Sequence, residues 1–270
     1  MAELVQKCAF FPSPEDIRAS VEQGNNVHDE YGNTPLHKLA QWNLTTNIYQ
    51  CFLALGDDLL VDTLNTEHQT PLHVSALNDR KGTALFLVSL GAHIDLKDNE
   101  GKAPYDLADT ELKEYFKLAA TDPPSAFRAW ATKEFFKLSR DYSLWNERLD
   151  QLMFLVEQGA DVNYQNAEGH CAVMFLVKWE LKGLVLFLTL LKKKGADFTL
   201  EDKKGYTPLL IAVKNKNFKM FEFLTAELEV DPRTPNKNGV TPLSLAQDMK
   251  LTLFADFTAE GPPKAPGTPP

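Results

Sequence analysis

One six-residue phrase recurs along this chain, and it recurs in step. Gly32-Asn33-Thr34-Pro35-Leu36-His37 is followed by Gln69-Thr70-Pro71-Leu72-His73, Gly101-Lys102-Ala103-Pro104-Tyr105-Asp106, Gly205-Tyr206-Thr207-Pro208-Leu209-Leu210 and Gly239-Val240-Thr241-Pro242-Leu243-Ser244, with a weaker copy at Gly169-His170-Cys171-Ala172-Val173-Met174. The Thr position falls at 34, 70, 103, 171, 207 and 241, at intervals of 36, 33, 68, 36 and 34. Because 68 is twice 34, a degenerate copy belongs between 103 and 171. A period near 33 residues means one small unit built many times, each burying its apolar face on its neighbours.

A second phrase keeps step with the first. Leu90-Gly91-Ala92-His93-Ile94-Asp95, Glu157-Gln158-Gly159-Ala160-Asp161-Val162-Asn163 and Lys194-Gly195-Ala196-Asp197-Phe198 each precede a copy of the first by about ten residues, as does Val21-Glu22-Gln23-Gly24-Asn25-Asn26-Val27. Thr is a helix N-cap, because its hydroxyl meets free backbone N–H groups. Pro suits the first helical position, where no N–H is needed. Gly closes the second helix in a left-handed conformation. The short polar stretch between Gly and Thr has the chemistry of a tight hairpin. The unit is helix, turn, helix, hairpin.

The Thr-Pro-Leu-His and Gly-Ala-Asp-x-Asn phrases resemble the ankyrin-repeat family, over roughly residues 14–258. The resemblance implies an all-α solenoid of helix-turn-helix units with β-hairpin fingers. Residues 1–26 read as an N-terminal capping module, with a helix starting at Pro14, and 27–120 as repeats one to three. Repeat one has helices near 35–43 and 45–55, repeat two near 71–79 and 81–90, and repeat three near 104–108 and 111–119. Thr121-Asp122-Pro123-Pro124 breaks the chain; helices near 125–140 and 144–158 make 121–162 a divergent central module. Repeats five to seven fill 163–260. The stretch 261–270, with five Pro and two Gly, reads as a disordered tail.

Charge is divided unevenly. Residues 1–124 carry 9 Lys+Arg against 19 Asp+Glu, a net of −10, and residues 125–270 carry 19 against 18, a net of +1. Lys178 to Lys219 alone hold ten Lys and four acids, a local +6 suited to an acidic partner, a membrane surface or plain solvation. The acidic total of −9 argues against nucleic acid as the main partner. The run Leu184–Leu191 is too short to span a bilayer. Three scattered cysteines and no secretory signal point to a reducing cytoplasm. Cys8 and Cys51 fall on apolar faces, and Cys171 takes the N-cap place and is expected to be partly buried. No spacing of His and Cys suggests a metal, and no cofactor is expected.

Function is expected on the positions that the repeat leaves free. Two follow each first helix: Gln41-Trp42, Leu77-Asn78, Lys178-Trp179, Lys214-Asn215 and Asp248-Met249. Trp42 and Trp179 are equivalent; each is either an exposed binding anchor or a packing residue. The finger residues, among them His28, Asp29, Glu30, Tyr31, Lys97, Asp98, Asn99, Tyr164, Gln165, Asn166, Glu201, Asp202 and Lys203, form a second set. Phe127, Trp130, Phe135 and Phe136 form an aromatic stripe that reads first as core. Asn163, with Leu155 eight residues before it and Val162 beside it, is similar to the finger asparagine that asparaginyl hydroxylases modify in ankyrin proteins; His28, Asp95 and Thr199 stand as its equivalents.

These residues predict a monomeric, non-catalytic scaffold that binds a protein partner through its concave inner-helix and finger surface. An alternative is a bacterial effector acting by binding in the cytoplasm of a host cell. A third is an enzyme whose remnant insert carries Asp122, Glu134, Asp141, Glu147 and Asp150, but about 40 residues are too few to build a site of ordinary size.

Overall fold

The computed structural model describes residues 28–41, 60–141, 145–179 and 183–256, with only the backbone for 145–148 and 255–256. Thirteen helices lie among the described residues: α1 Pro35–Gln41, α2 Pro71–Leu77, α3 Lys81–Ser89, α4 Pro104–Leu107, α5 Thr110–Ala119, α6 Pro123–Leu138, α7 Trp145–Glu157, α8 Ala172–Leu176, α9 Leu184–Lys193, α10 Pro208–Lys214, α11 Phe218–Ala226, α12 Pro242–Asp248 and α13 Thr252–Asp256. The chain divides into two compact units, Met1–Ala131 and Thr132–Pro270.

Each unit has the same two layers. In the first, α1 packs on α2 and α2 on α4, while α3 packs on α5. In the second, α8 packs on α10 and α10 on α12, while α11 packs on α13. The core of the first unit is built on Leu39, Leu72, Leu85, Phe86, Leu112 and Phe116, that of the second on Phe135, Leu152, Leu155, Leu188 and Phe221, each at most 2% exposed. Burying one such side chain stabilises by roughly 1.5–3 kcal/mol.

The helix starts follow from Thr-Pro. Thr70, Thr207 and Thr241 accept the N–H of the residue three further on, and Pro occupies the first turn. The ends follow from Gly. At Gly91 (φ 96°) and Gly195 (φ 87°) the next residue's N–H closes on the carbonyls of Leu87 and Leu191, a bond that only a left-handed residue permits.

Two expectations are corrected. The break expected at 121–124 falls at 120–122, between α5 and α6, and the helix expected from 125 starts at Pro123, with the Asp122 carboxylate accepting from the Ser125 N–H at 3.2 Å and the prolines where no N–H is needed. The fingers contain no strand among the described residues. Each is a turn closed by a pair of backbone bonds, such as Asn65 N–H to Gln69 O and His68 N–H to Asn65 O, both 3.0 Å. Two bonds are too few for a ladder. Trp42, the helix near 45–55, the capping module 1–26, Cys8, Cys51 and the tail 261–270 lie outside the described residues.

Candidate functional site

The fingers are positioned by a residue five places before each Thr site: Asp29, Asn65, Asp98, Asn166, Asp202 and Asn236. Each side-chain oxygen accepts two backbone N–H groups of its own turn, two and four residues on; for Asp202 these come from Lys204 and Tyr206, both at 2.8 Å, and for Asn65 from Glu67 and Gln69, both at 2.9 Å. A glycine follows three residues later in five of the six fingers; His68 replaces it in the sixth, at φ 57°. This shared turn was missed in the sequence, although tabulating the phrase five residues upstream shows it. Burial would raise the Asp29 carboxyl, but Lys38 at 2.8 Å and the N–H groups of Asn33 and Tyr31 hold it down to about 2.

Successive fingers touch through backbone bonds that side chains reinforce, Thr66 Oγ1 donating to Tyr31 O at 2.8 Å and Asn99 Nδ2 to Thr66 O at 3.2 Å. Thr66 N–H donates to Tyr31 O at 3.0 Å, Asn99 to Glu67 at 3.1 Å and Lys203 to Glu168 at 2.9 Å. Gly32 and Gly169 allow this approach, since a Cβ would stand 2.9 Å from Thr66 N and 3.1 Å from Asp202 Cα respectively.

Beneath the first unit's fingers, two imidazoles tie repeat to repeat. Thr34 N–H donates to His37 Nδ1 at 3.1 Å, so the ring proton sits on Nε2, which donates to Gln69 O at 2.9 Å. Thr70, His73 and Lys102 O repeat the arrangement at 3.0 and 3.2 Å. Burial pushes His37 down to about 4, against the pull of the Gln69 carbonyl. It lowers His73 likewise. Asp106 accepts the Ala103 N–H at 2.9 Å, which is why an acid replaces His there.

Asn163 bridges two repeats: its amide donates to Gly195 O at 2.8 Å and its oxygen accepts from Asp197 N–H at 2.7 Å. Asp62 stands at the same place, three residues before the finger's anchoring side chain, and accepts from His93 N–H at 3.2 Å and contacts the ring at 2.6 Å. Asp62 therefore belongs with Asp95 and Thr199 as a counterpart. His28 does not, since it stands one residue before Asp29.

In Thr132–Pro270 the finger bases and first-helix ends gather a basic and aromatic cluster. Phe136 meets Tyr164 and Phe175 edge-on, with ring centroids 5.4 and 5.7 Å apart, and His170 meets Phe175 at 5.5 Å. Lys178 Nζ lies 4.8 Å and Arg140 Cζ 5.5 Å from the Phe175 centroid; Lys214 Nζ lies 4.2 Å from that of Tyr206. Burial, and then the charge of Lys214, lowers Lys178. Of the expected residues, Lys178, Lys214 and Tyr164 come together here. Arg140, Phe175 and Tyr206 were missed, because the first two lie outside the repeat phrase and Tyr206 fills a variable place within it.

The remaining expected residues are placed singly. Tyr31 is 61% exposed. Trp179 is partly buried, its indole nitrogen enclosed. Asn78 and Asn215 donate their amides to Val74 O and Ile211 O, both at 2.8 Å, and so finish their own helices. The carbonyl of Gln41 accepts from Arg80 at 3.2 Å. Cys171 is fully buried rather than partly, and burial raises its thiol. Phe127, Phe135 and Phe136 are buried core, with Phe86 and Phe127 rings 5.3 Å apart. Among the described residues no helix is long and apolar enough to cross a membrane.

The family profile described as ankyrin repeats matches residues 5–98, 142–236 and 180–251. NF-kappa-B inhibitor alpha of Gallus gallus is 27% identical over 195 residues, 69% of this chain and 60% of its own length. The B-cell lymphoma 3 protein homolog of Mus musculus is 27% identical over 217 residues, 79% of this chain and 40% of its own. The chain thus spans less than two thirds of these relatives. A solved ankyrin repeat domain from Acinetobacter baumannii, 21% identical, superposes over 84% of this chain and 96% of its own with a TM-score of 0.39, too low to carry detail.

Proposed function

The chain belongs to the ankyrin-repeat family, and from that premise we propose that it is a monomeric interaction scaffold, working by binding a protein partner on the face formed by its first helices and fingers. The family is generally a protein-interaction fold without catalysis, and the relatives fit that reading. The observation that carries it is the pairing of cation and ring in successive repeats, Lys178 over Phe175, which Phe136 joins to Tyr164, and Lys214 over Tyr206, on fingers and first-helix positions that the repeat leaves free. Aromatic rings beside cations are the composition of binding hot spots. Tyr31 extends the reading to the first unit, and Trp42, Gln41, Asn78, Trp179 and Asn215 complete the set proposed for contact.

The division 27–120, 121–162 and 163–260 belongs to the same proposal. Its middle segment holds the two longest helices described, α6 with 16 residues and α7 with 13. Asn163 is proposed as a hydroxylation site; an added oxygen there would sit where its side chain bridges to Gly195 and Asp197. Intact-peptide mass spectrometry of protein from animal cells checks it, and an unmodified Asn163 removes the idea.

The binding reading is tested by affinity capture on the full chain with identification of the retained partner by mass spectrometry. Trp42→Ala, Tyr164→Ala and Trp179→Ala are expected to release that partner while circular dichroism stays unchanged. Retention by all three folded variants would sink the proposed face.

A further inference from the structure

We propose that the row Arg140, Lys178 and Lys214 is a receptor for an acidic, extended segment of a partner protein with carboxylates three residues apart. This rests on the binding reading above and gives the partner its chemistry.

The first support is a contrast in pairing. In the first unit, Lys38, Lys81, Lys102 and Lys117 each meet a carboxylate between 2.7 and 3.0 Å. In the second, among the described residues, neither Arg140, Lys178 nor Lys214 has one within ion-pair distance, whereas Lys137 pairs with Glu134 and His170 with Asp202. Asp202 is buried, and its carboxylate is engaged by the N–H groups of Lys204 and Tyr206. The three cations instead lie over Phe175 and Tyr206, held in place by rings that cancel none of their charge.

The second support is mutual repulsion. Lys178 is half-buried and close enough to Lys214 for that charge to lower it further, an effect that the Asp202 charge opposes without reversing. A carboxylate between the two ammonium groups offsets their repulsion and stabilises the buried charge of Lys178.

The spacing follows from the repeat. Lys178 and Lys214 stand at the same position of successive first-helix segments, 36 residues apart, and α8 packs on α10. Packed helix axes are about 8–10 Å apart. A polyproline-II segment rises about 3.1 Å per residue with three residues per turn, so side chains three apart share a face about 9 Å apart. Glu-x-x-Glu in that conformation matches the two lysines, and Tyr206, Phe175 and Tyr164 offer ring surface to the residues between.

The test is fluorescence anisotropy of labelled synthetic peptides against the full chain at low salt, with two Glu either three apart or adjacent in a Pro-containing background. Binding of the three-apart peptide is expected, weakening with salt. It should fall by about tenfold or more in the Lys178→Glu/Lys214→Glu double variant. Lys193→Glu/Lys194→Glu, the same charge change on exposed positions at the end of α9, should leave it within about twofold. If the reversal perturbs folding, Lys178→Gln/Lys214→Gln replaces it. No binding, equal loss in the α9 control, or equal binding of both peptides overturns the inference. So does binding only to phosphatidylserine vesicles, which would make the row a lipid-surface contact. A partner captured as firmly by the folded double variant sinks the acidic segment but leaves the scaffold. Indifference to every substitution on this face sinks both.

Discussion

In Met1–Ala131 the starts of α1 and α2 are tied by the buried imidazoles of His37 and His73; in Thr132–Pro270 the same position holds Met174, Leu210 and Ser244. The backbone result is alike. Thr70, Thr207 and Thr241 each accept the same N–H, and Ser244 Oγ returns a bond to the Thr241 N–H at 3.0 Å. The imidazole adds a bond into the next repeat at the cost of a buried titratable group. Helix initiation in this repeat is therefore satisfied by a threonine alone, and the histidine couples neighbouring repeats.

The sharpest way to break this comparison is acid. His37 is lowered from 6.5 to about 4, so the unfolded chain binds a proton first as pH falls. Its contribution is complete above pH 6.5 and is lost as pH drops toward 4, on the order of 3 kcal/mol in all. The sole histidine of the second unit, His170, is partly exposed. Hydrogen exchange at pH 7 and pH 4.5 should show amides of α1 and α2 losing more protection than those of α10 and α12. Equal losses would deny the imidazoles their separate role.

A smaller effect probes packing. A Cβ at Gly82 would overlap the Trp130 indole, whereas at the equivalent Gly183 it meets Leu149 Cδ2 at 3.2 Å. Gly82→Ala should cost about 1–3 kcal/mol, read by urea unfolding, because an aromatic ring in a packed site gives way poorly. An unchanged midpoint would mean that Trp130 is free to move. The smallest effect is shared by both units: His68 and Glu229 stand at φ 57° and 58° where other repeats place glycine. His68→Gly and Glu229→Gly should each stabilise by about 1 kcal/mol by thermal melting. A loss at either site would show that its side chain contributes more than its backbone strain removes.

The repeat itself was readable because Thr-Pro and Gly act locally, through one cap and one dihedral angle. The Asx turns were hidden because Asp and Asn alternate at that place and match no fixed phrase. Pro123-Pro124 shifted the expected helix start by two residues, because the same pair ends or begins a helix depending on whether an acceptor such as Asp122 precedes it. The cluster around Phe175 was out of reach. Arg140 and Lys178 are 38 residues apart in sequence, and only folding sets both over one ring.

Each finger's shape is fixed by an oxygen of its own turn, and its ties to the previous finger are a few bonds of backbone and side chain, such as Thr66 N–H and Oγ1 to Tyr31 O. The two tip residues after each Asp or Asn, such as Glu30-Tyr31 and Lys203-Lys204, are exposed and carry no part of that oxygen's identity. Thr66, Asn99 and Asn238 spend their side chains on the neighbouring finger; tip side chains without such a bond are open to rewriting one finger at a time, without renegotiating the turn beneath. A lineage of such chains can change its ligands by drift at the tips, and an engineer can graft there, while the scaffold that presents the change stays as it was.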